Sequence, residues 1–424
     1  MKKNLKDRIT LNPIITYLLI IGFVILLSGF LSLLGVSVSY NKMTSTGAFV
    51  TTSEAIESLF SLSGLKYIFS STVSNFASFA PLVNLIIVLF GIGIMEKSGF
   101  LKTAFTLLTK KAKKTTVTFV LAFICIMASI VGDLGYVILI PLSALLFLHG
   151  KRNPLLGIIT AFAGLTCSAG LNVFLTSIDS TLRNATILSA KNLDPTYNFG
   201  SFAFLFIMII ASLLLAFIIT KISENIIAPK LKKYEFAESE EVSEIGKQEQ
   251  KGLIFAIGAG VVYLVFFVYN IIPGLPFSGN LLDNSQLLYI DKLFSPDAFF
   301  SNGFVFIVTI LFVIWGFFYG LGAKTIKNNN DVADYLGHSL DGTGKMIVLI
   351  FFASAFINIV KRTNIGPVIT AWFASIISQS AFQGTALIIL VFLLVAIATI
   401  FLPSSTGKWA ILSGVTIPIL IIFS

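Results

Sequence analysis

The stretch Lys113–Arg152, KKTTVTFVLAFICIMASIVGDLGYVILIPLSALLFLHGKR, decides the fold. Its apolar part, Val117–Leu148, is interrupted near the centre by Gly-Asp-Leu-Gly and is flanked by basic residues at both ends. Because Lys and Arg beside apolar segments favour the cytoplasmic side of a membrane, both ends are predicted to be cytoplasmic. The arms have about 13 to 15 residues each, fewer than the roughly 20 that a helix needs to cross a bilayer. The segment is therefore predicted to enter the membrane and return to the same side as a re-entrant helical hairpin.

The composition is that of an all-α integral membrane protein. Hydrophobic residues occupy 56% of 424 positions, charged residues only 12%, and the mean hydropathy is +0.94, whereas a soluble domain has about 25% charged residues. The net charge of +9 comes from Lys and Arg at the ends of apolar segments, which predicts topology and not nucleic-acid binding. Cys125 and Cys167 both lie in apolar segments, so neither a disulfide framework nor a cysteine metal site is predicted.

Basic clusters predict the path of the chain through the membrane. The N-terminal lysines and the cluster Lys102–Lys114 are both predicted to be cytoplasmic, so two crossings separate them. The first, Ile14–Leu34, is too long for a cleaved signal core, and the second is about Pro81–Met95, with the polar residues 37–78 outside. Further crossings are predicted at Leu155–Thr176, Phe202–Ile219, Leu253–Ile272, Phe304–Gly322 and Met346–Val360. The result is about seven transmembrane helices in a bacterial inner membrane, with a cytoplasmic N-terminus.

The second half repeats the first in the opposite sense. The helices that end near Met95 and Val360 are each followed by a short charged segment and a shorter apolar piece. Ala386–Phe423 then matches the first hairpin, with two apolar arms around Pro403–Trp409, but is entered from the outer side. The chain is thus predicted to be an inverted-repeat secondary transporter with two re-entrant hairpins. Its parts are 1–80, the N-terminal span and external loop; 81–223, the first repeat with the hairpin 117–148; 224–345, a cytoplasmic linker and two spans; and 346–424, an incomplete second repeat with the hairpin 386–423.

Paired hairpins at membrane depth predict transport. Broken backbone at that depth must find an ion, water or substrate, and inverted repeats allow alternating access. We expect a gradient of Na+ or H+ to drive the transport, because no Walker A motif is visible. No enzyme activity, cofactor or resident metal beyond a bound Na+ is predicted, since His149 and His338 lie far apart near segment ends with no nucleophile beside them.

Polar residues in and after the first hairpin are candidates for ion coupling and substrate binding. Asp133 at the predicted tip suits a cation or a proton, or else caps the second arm. Thr166 and Asn172 offer oxygen ligands to sodium, although small polar residues also serve helix packing in lipid. Asp179 accepts a proton or binds substrate, or pairs with Arg183 one helical turn further on.

The second predicted tip combines hydroxyls with an aromatic ring. Trp409 stacks on an aromatic substrate ring in one interpretation and anchors the hairpin at the membrane interface in the other. Lys408 either attracts a carboxylate or extends to the membrane surface. Asn364, at the kink after Val360, either caps the helix or lines the cavity. The hydroxyl candidates, which alternatively form an ordinary capping turn, are Ser404, Ser405 and Thr406.

Five sequence blocks, in order across nearly the whole chain, resemble signatures of the AbgT family, the p-aminobenzoyl-glutamate transporters. Each block alone has little specificity, whereas five blocks in the correct order make a specific match. The blocks are Leu89–Leu101 (LFGIGIMEKSGFL), Asp133–Pro141 (DLGYVILIP), Asn153–Gly164 (NPLLGIITAFAG), Thr176–Asp179 (TSID) and Ser404–Leu412 (SSTGKWAIL).

The resemblance implies a homodimeric, ion-coupled carrier of nine spans and two hairpins that handles p-aminobenzoyl-glutamate or related aromatic carboxylates. It also implies that some members export sulfonamide-type folate antimetabolites, and uptake and efflux look alike in sequence. An acid and a tryptophan of the family's translocation site correspond to Asp179 and Trp409, and Thr406 keeps a hydroxyl where many members have serine. A dicarboxylate carrier of the wider ion-transporter group is the alternative substrate class.

Family members continue beyond the position of Ser424 through a crossing helix with a polar motif and a final span. The resemblance therefore implies that the second repeat is incomplete here and lacks the counterpart of Leu155–Asp179. The expectations are a truncated product, a second polypeptide that supplies the rest, or an inactive remnant.

Overall fold

Helices form nearly all of the regular structure, which confirms the predicted all-α fold class. The computed structural model describes residues 12–43, 49–131, 134–168, 170–173, 176–191, 193–200, 204–232, 234–235, 245–287, 289–295, 297–379, 382–402 and 405–423. Within these residues, six helical segments are long and apolar enough to cross a membrane. They are Pro13–Leu33, Leu62–Lys97, Leu205–Lys230, Lys247–Ile271, Phe299–Ala323 and Gly344–Thr363.

The chain divides into two compact units. Unit 1 comprises residues 1–79, 178–201 and 343–424, and unit 2 comprises residues 80–177 and 202–342. Unit 1 contains α1 (Pro13–Leu33), β1 (Ser37–Met43), β2 (Phe49–Ala55), α2 (Leu62–Ala77), α8 (Ser177–Ala190, from residue 178 onward), α14 (Gly344–Thr363), α15 (Ile365–Ser378), α16 (Gly384–Phe401) and α17 (Ser405–Phe423). Unit 2 contains α3 (Ala80–Lys97), α4 (Phe100–Lys111), α5 (Lys114–Met127), α6 (Leu134–His149), α7 (Pro154–Cys167), α9 (Leu205–Ile222), α10 (Lys247–Ile271), α11 (Tyr289–Phe294), α12 (Phe299–Ala323) and α13 (Asn329–His338).

A short β-hairpin follows α1 in unit 1, in the stretch interpreted from sequence as a polar external segment. Its strands pair antiparallel, from Ser37 opposite Ala55 to Met43 opposite Phe49. Buried side chains beyond β2, including Ile56 and Leu59, join a core cluster with α1, α14 and α15. The hairpin therefore leads the chain back to the helices of unit 1.

Small residues allow the long helices of unit 2 to approach closely. A Cβ atom added at Gly91 of α3 would lie 2.8 Å from Cβ of Phe312 on α12, and one added at Gly316 would lie 2.6 Å from Cγ2 of Ile94. Such close approach is typical of helix pairs in membranes, where van der Waals packing drives association. One buried cluster of unit 2 lies between α3, α10 and α12 and includes residues of α4 and α6, and two others lie around α5, α7 and α9.

The first hairpin has two helical arms, as predicted. The arms are α5 and α6, of 14 and 16 residues, and both are shorter than the roughly 20 residues of a crossing helix. Helix α7 packs against both arms, and a Cβ atom added at Gly164 would lie 2.7 Å from Cβ of Cys125 on α5. The predicted tip residues Gly132 and Asp133 lie outside the described residues.

A buried ion pair joins the base of this hairpin to the end of α9. Arg152 follows α6, and its Nη2 atom lies 2.5 Å from Oε1 of Glu224, with the two side chains only 8% and 14% exposed. Thr118 of α5 donates its hydroxyl to the same carboxylate and accepts a bond from Arg152 Nη1 at 2.9 Å. Glu224 lies in a π-helical turn, Ser223–Ile227, that continues α9.

Both predicted kinks are present, and each is made by a residue in the left-handed conformation. Gly99 (φ 92°) separates α3 from α4, and Asn364 (φ 57°) separates α14 from α15. Glycine and asparagine are the residues that tolerate this conformation best. The same order of long helix, kink and shorter helix thus occurs in each half, while the inverted repeat itself stays a prediction.

The second hairpin differs from its prediction at the tip. Its arms are α16 and α17, and α17 begins at Ser405, so the polar residues up to Trp409 lie in the first turns of a helix. The sequence pattern placed them in the break, because Ser, Thr and Gly favour caps and turns over helix interiors. The backbone amides of Ser405–Trp409 are therefore arranged around the start of α17.

The loop before α11, which the sequence predicts to be external, is organised by one carboxylate. Asp283 accepts hydrogen bonds from the hydroxyl of Ser285 at 2.6 Å, from that of Ser295 at 2.7 Å and from the Ser285 amide at 3.0 Å. These bonds, led by the one from the Ser285 hydroxyl, hold the pKa of Asp283 well below its ordinary value of 3.8.

Candidate substrate and ion site

The polar segment predicted as one continuous crossing, Leu155–Thr176, is a broken helix. Helix α7 ends at Cys167, and α8 begins at Ser177. Ser168 and Asn172, in the break between them, are fully buried, and Gly170 has a positive φ of 86°. The prediction of a single helix is wrong because Ser, Gly and Asn favour non-helical backbone, which outweighs the apolar character of the segment. Broken helices at membrane depth are typical of transporter binding sites.

The break in unit 2 contacts the end of the first arm of the first hairpin. Ser129, in the 3₁₀ turn that follows α5, donates its hydroxyl to the carbonyl oxygen of Leu171 at 2.9 Å. Thr166, on the last turn of α7, is exposed and accepts a bond from the Tyr136 hydroxyl at 3.4 Å. Of the candidates in this part of the chain, the substrate-binding candidate Asn172 is thus buried and the ion-coupling candidate Thr166 is exposed, while Asp133 lies outside the described residues.

Helix α8 begins with the acidic candidate of unit 1. Asp179 is half-buried in the first turn of this helix. Arg183, one turn further on, donates its Nε to the carbonyl oxygen of Phe199 at 3.0 Å and its Nη2 to Oδ1 of Asn198 at 3.2 Å. The guanidinium group also lies over the ring of Phe199, 5.3 Å from its centre. Arg183 therefore ties α8 to the loop that follows it.

The tryptophan of the second hairpin contacts the same helix. The indole Nε1 of Trp409 donates a hydrogen bond to Oγ1 of Thr186 at 3.0 Å. Thr186 lies seven residues after Asp179, which places both on one side of α8, roughly 10 Å apart along its axis. The ring of Trp409 packs against a buried cluster that lines α15, α16 and α17. The acid and the tryptophan, separated by more than 200 positions in the sequence, are thus brought to one helix of unit 1.

A cavity lies beside this contact, between α8 with its following loop and the second hairpin. Its volume is about 290 Å³, near the lower end of the range for small-molecule sites. Its walls are mostly aliphatic, with the hydroxyl groups of a threonine and a tyrosine as polar features. The lining residues are Thr186, Tyr197, Gly384, Leu387, Ile388, Ile417, Leu420 and Ile421.

Two buried hydroxyls of α17 were missed by the sequence analysis. Ser413 and Thr416 are fully buried, and neither hydroxyl has a hydrogen-bond partner among the described residues. They follow Trp409 at four and seven positions, so the three share one face of α17. Oxygen donors of this kind suit a hard cation such as Na+. The signal that could have found them is their polarity in an otherwise apolar arm.

The four remaining candidates of the second half are placed as follows. Asn364 joins α14 to α15 and donates its Nδ2 to the carbonyl oxygen of Ala55 at 3.3 Å. Ser405 is exposed at the start of α17. Ser404 and the side chain of Thr406 lie outside the described residues.

Groups of three or more His, Cys, Asp or Glu side chains that could hold a metal ion do not occur among the described residues. His338 lies in an exposed pair with Asp341, 2.8 Å from its carboxylate. His149 lies at the end of α6 and tilts against the ring of Phe105.

Nearly the whole chain, residues 7–424, matches a family model described as the "AbgT putative transporter family". The chain belongs to the AbgT family. This membership confirms the resemblance found in the sequence. It also establishes that the protein is of a multi-pass membrane transporter family that acts on small molecules.

Three relatives are similar over most of the chain. The p-aminobenzoyl-glutamate transport protein of Escherichia coli (strain K12) is 24% identical over 407 residues, which are 96% of this chain and 77% of that protein. The crystal structure of the Alcanivorax borkumensis YdaH transporter is 24% identical in sequence, with a TM-score of 0.51. The match covers 97% of this chain and 83% of the YdaH chain. The structure of MtrF from Neisseria gonorrhoeae, described within a class of antimetabolite efflux pumps, is 28% identical and covers 98% and 81%, with a TM-score of 0.53.

Proposed function

We propose that the protein is an ion-coupled secondary transporter that moves p-aminobenzoyl-glutamate or related aromatic carboxylates across the bacterial cell membrane. The AbgT membership and the name of the Escherichia coli relative support the substrate class. The observation that carries the proposal is the hydrogen bond between Trp409 and Thr186, because it brings an aromatic platform of the second hairpin to the helix that begins with Asp179.

Each candidate has a role in this proposal. The indole face of Trp409 stacks on the aminobenzoyl ring, since aromatic pairs are favourable beyond the area they bury. Asp179 binds the substrate or carries a coupling proton, and Asp133 and Thr166 take part in binding the coupling ion, Na+ or H+. Further polar contacts to the substrate come from Asn172, Asn364, Ser404, Ser405 and Thr406.

Export of sulfonamide-type antimetabolites is the second candidate function. The specific observation in its favour is the likeness to MtrF, at 28% identity over 98% of this chain. A sulfonamide of this type and p-aminobenzoyl-glutamate share the aminophenyl ring, so the same tryptophan serves both. The direction of net transport distinguishes the two functions. A homodimer is proposed for either one, from the resemblance to the family.

Flux in proteoliposomes tests the proposal. The purified chain is reconstituted, and uptake of labelled p-aminobenzoyl-glutamate is measured under an imposed Na+ gradient, an H+ gradient or neither. We expect gradient-dependent uptake that Asp179→Asn reduces at least tenfold, because an intramembrane acid is costly unless it has a role. Counterflow from vesicles loaded with sulfamethazine distinguishes export. Absence of flux of every aromatic substrate in both directions would refute the proposed function.

A matched tryptophan variant controls for general damage. Trp372 of α15 is 56% exposed, whereas Trp409 donates a hydrogen bond within unit 1. We expect Trp409→Phe to raise the KM for the aromatic substrate several-fold and Trp372→Phe to leave it unchanged. Equal effects of the two substitutions would remove the reason for assigning Trp409 to the site.

A further inference from the structure

Lys408 is the only charged residue of the stretch 384–423. It lies in the first turns of α17 and is only 7% exposed. A lysine that extends to the membrane surface keeps its ammonium group in water, and a side chain so little exposed does not do so. The structure therefore excludes one of the two arrangements that the sequence allowed, in which the Lys408 side chain extends to the membrane surface.

The described contacts leave the positive charge of Lys408 without a counter-charge. Its Nζ atom donates to Oγ1 of Thr399 on α16 at 2.6 Å, and that hydroxyl donates in turn to the carbonyl oxygen of Val395. The ion pairs within the described residues are Arg152–Glu224, His338–Asp341 and Arg362–Glu57, so none includes Lys408. A buried charge without a partner is strongly unfavourable. An ionisable residue at membrane depth is therefore expected to have a functional partner.

The ends of the two arms do not supply that partner. Helix α16 ends at Phe401 and α17 begins at Ser405, so the ammonium lies near one helix C-terminus and one helix N-terminus. These ends carry partial charges of about −0.5 and +0.5, which nearly cancel. The net charge at this place is therefore close to that of the ammonium group alone, one positive charge.

We propose that Lys408 forms an anion subsite in the second hairpin and binds a carboxylate of the transported substrate. This inference rests on the proposed function for the identity of the substrate but not for the existence of the subsite. Lys408 directly precedes Trp409, so the two side chains leave α17 about 100° apart around the helix axis. A ligand with an aromatic ring and a carboxylate a few bonds away spans that angle and contacts both side chains. The pair thus selects aryl carboxylates over neutral aryl compounds.

Calorimetric binding to the purified full chain tests the subsite. The ligands are p-aminobenzoyl-glutamate, p-aminobenzoate, its neutral isostere p-aminobenzamide, and glutarate, which lacks the ring. The variants are Lys408→Met and Lys408→Gln, of which the second keeps a donor for Thr399 if the first does not fold. Lys408→Arg keeps the charge, and Lys345→Met, at an exposed lysine of α14, is the matched control.

We expect both neutral variants to lose at least tenfold in affinity for the carboxylates while binding p-aminobenzamide within about twofold of wild type. Lys408→Arg and Lys345→Met should bind the carboxylates within a few-fold of wild type. If the neutral variants bind carboxylates as tightly as wild type, or lose p-aminobenzamide equally, the subsite is refuted and the proposed function is untouched. If wild type binds only glutarate, and Lys408→Gln abolishes that binding, the subsite stands and the aromatic substrate is refuted.

Discussion

Replacing Arg152 by Met tests whether the base of the first hairpin is held by charge. The guanidinium group bonds Glu224, Thr118 and the carbonyl oxygen of Lys114, and it lies 4.2 Å from the centre of the Phe147 ring. Methionine keeps much of the aliphatic length but leaves the Glu224 carboxylate, 14% exposed, with the Thr118 hydroxyl as its remaining described donor. The substitution therefore removes the counter-charge and little of the packing.

The expected loss in free energy of unfolding follows from the hydrogen bonds that each variant keeps. Breaking a buried ion pair costs about 3–5 kcal/mol, and the lower value, about 3 kcal/mol, is expected because Thr118 still donates to Glu224. Glu224→Gln keeps an oxygen that accepts both bonds, each weakened by about 1 kcal/mol on loss of the charge, or about 2 kcal/mol in total. Because the two side chains contact each other, the double variant should cost about 2 kcal/mol less than the sum of the single variants.

Equilibrium unfolding in mixed micelles, followed by circular dichroism, measures these free energies. Arg362→Met is the matched control, since its pair with Glu57 has side chains 49% and 45% exposed, and exposed pairs contribute less than about 1 kcal/mol. The reasoning would be refuted if the losses in free energy of unfolding of the two single variants added up in the double variant. It would also be refuted if Arg152→Met lowered that free energy no more than Arg362→Met does.

Three further predictions concern other parts of the fold. Thr186→Val should lower the free energy of unfolding by about 1–3 kcal/mol, because the N–H of Trp409 loses its acceptor. Thr186→Ser keeps the hydroxyl and serves as the control. Equal stability of the two variants in denaturant titrations would contradict the prediction. Gly164→Val should cost about 1–3 kcal/mol by overpacking against α5, whereas Gly258→Val, with open space around it, should cost less in thermal unfolding. The folded state lowers the pKa of Asp283 below 3.8, so the order of its loop is favoured above that pH and decreases as the pH falls below it. Hydrogen exchange of residues 282–287 should show this loss in wild type and not in Asp283→Asn.

Much of the architecture follows from length and charge in the sequence. The two arms of the first hairpin were predictable because basic residues flank a segment too short to cross twice. The kinks at Gly99 and Asn364 were predictable because charged residues interrupt apolar helices there. These features are local, so a single stretch of sequence contains all the information about them.

Other features could not be predicted because distant residues create them. The strands Ser37–Met43 and Phe49–Ala55 carry mostly polar side chains without a clean apolar alternation. Each strand forms only by pairing with the other, so neither stretch alone predicts it. The small residues after Cys167 are equally typical of a continuous helix that packs closely against its neighbours, so the sequence alone does not indicate that the helix is broken there. The burial of Lys408 and the contact of Trp409 depend on helices that sequence spacing does not relate to one another.

The bond between Thr186 and Trp409 also has a consequence for biosynthesis. Its partners are separated by 223 positions, and translation proceeds at about 5–20 residues per second. Helix α8 therefore spends roughly 10 to 45 seconds in the membrane before the chain segment that completes its surroundings has been made. We expect conditions that slow the ribosome within that interval to lengthen the exposure of α8 to membrane proteases and chaperones. Slower codons downstream of residue 190 should therefore lower the yield of folded protein.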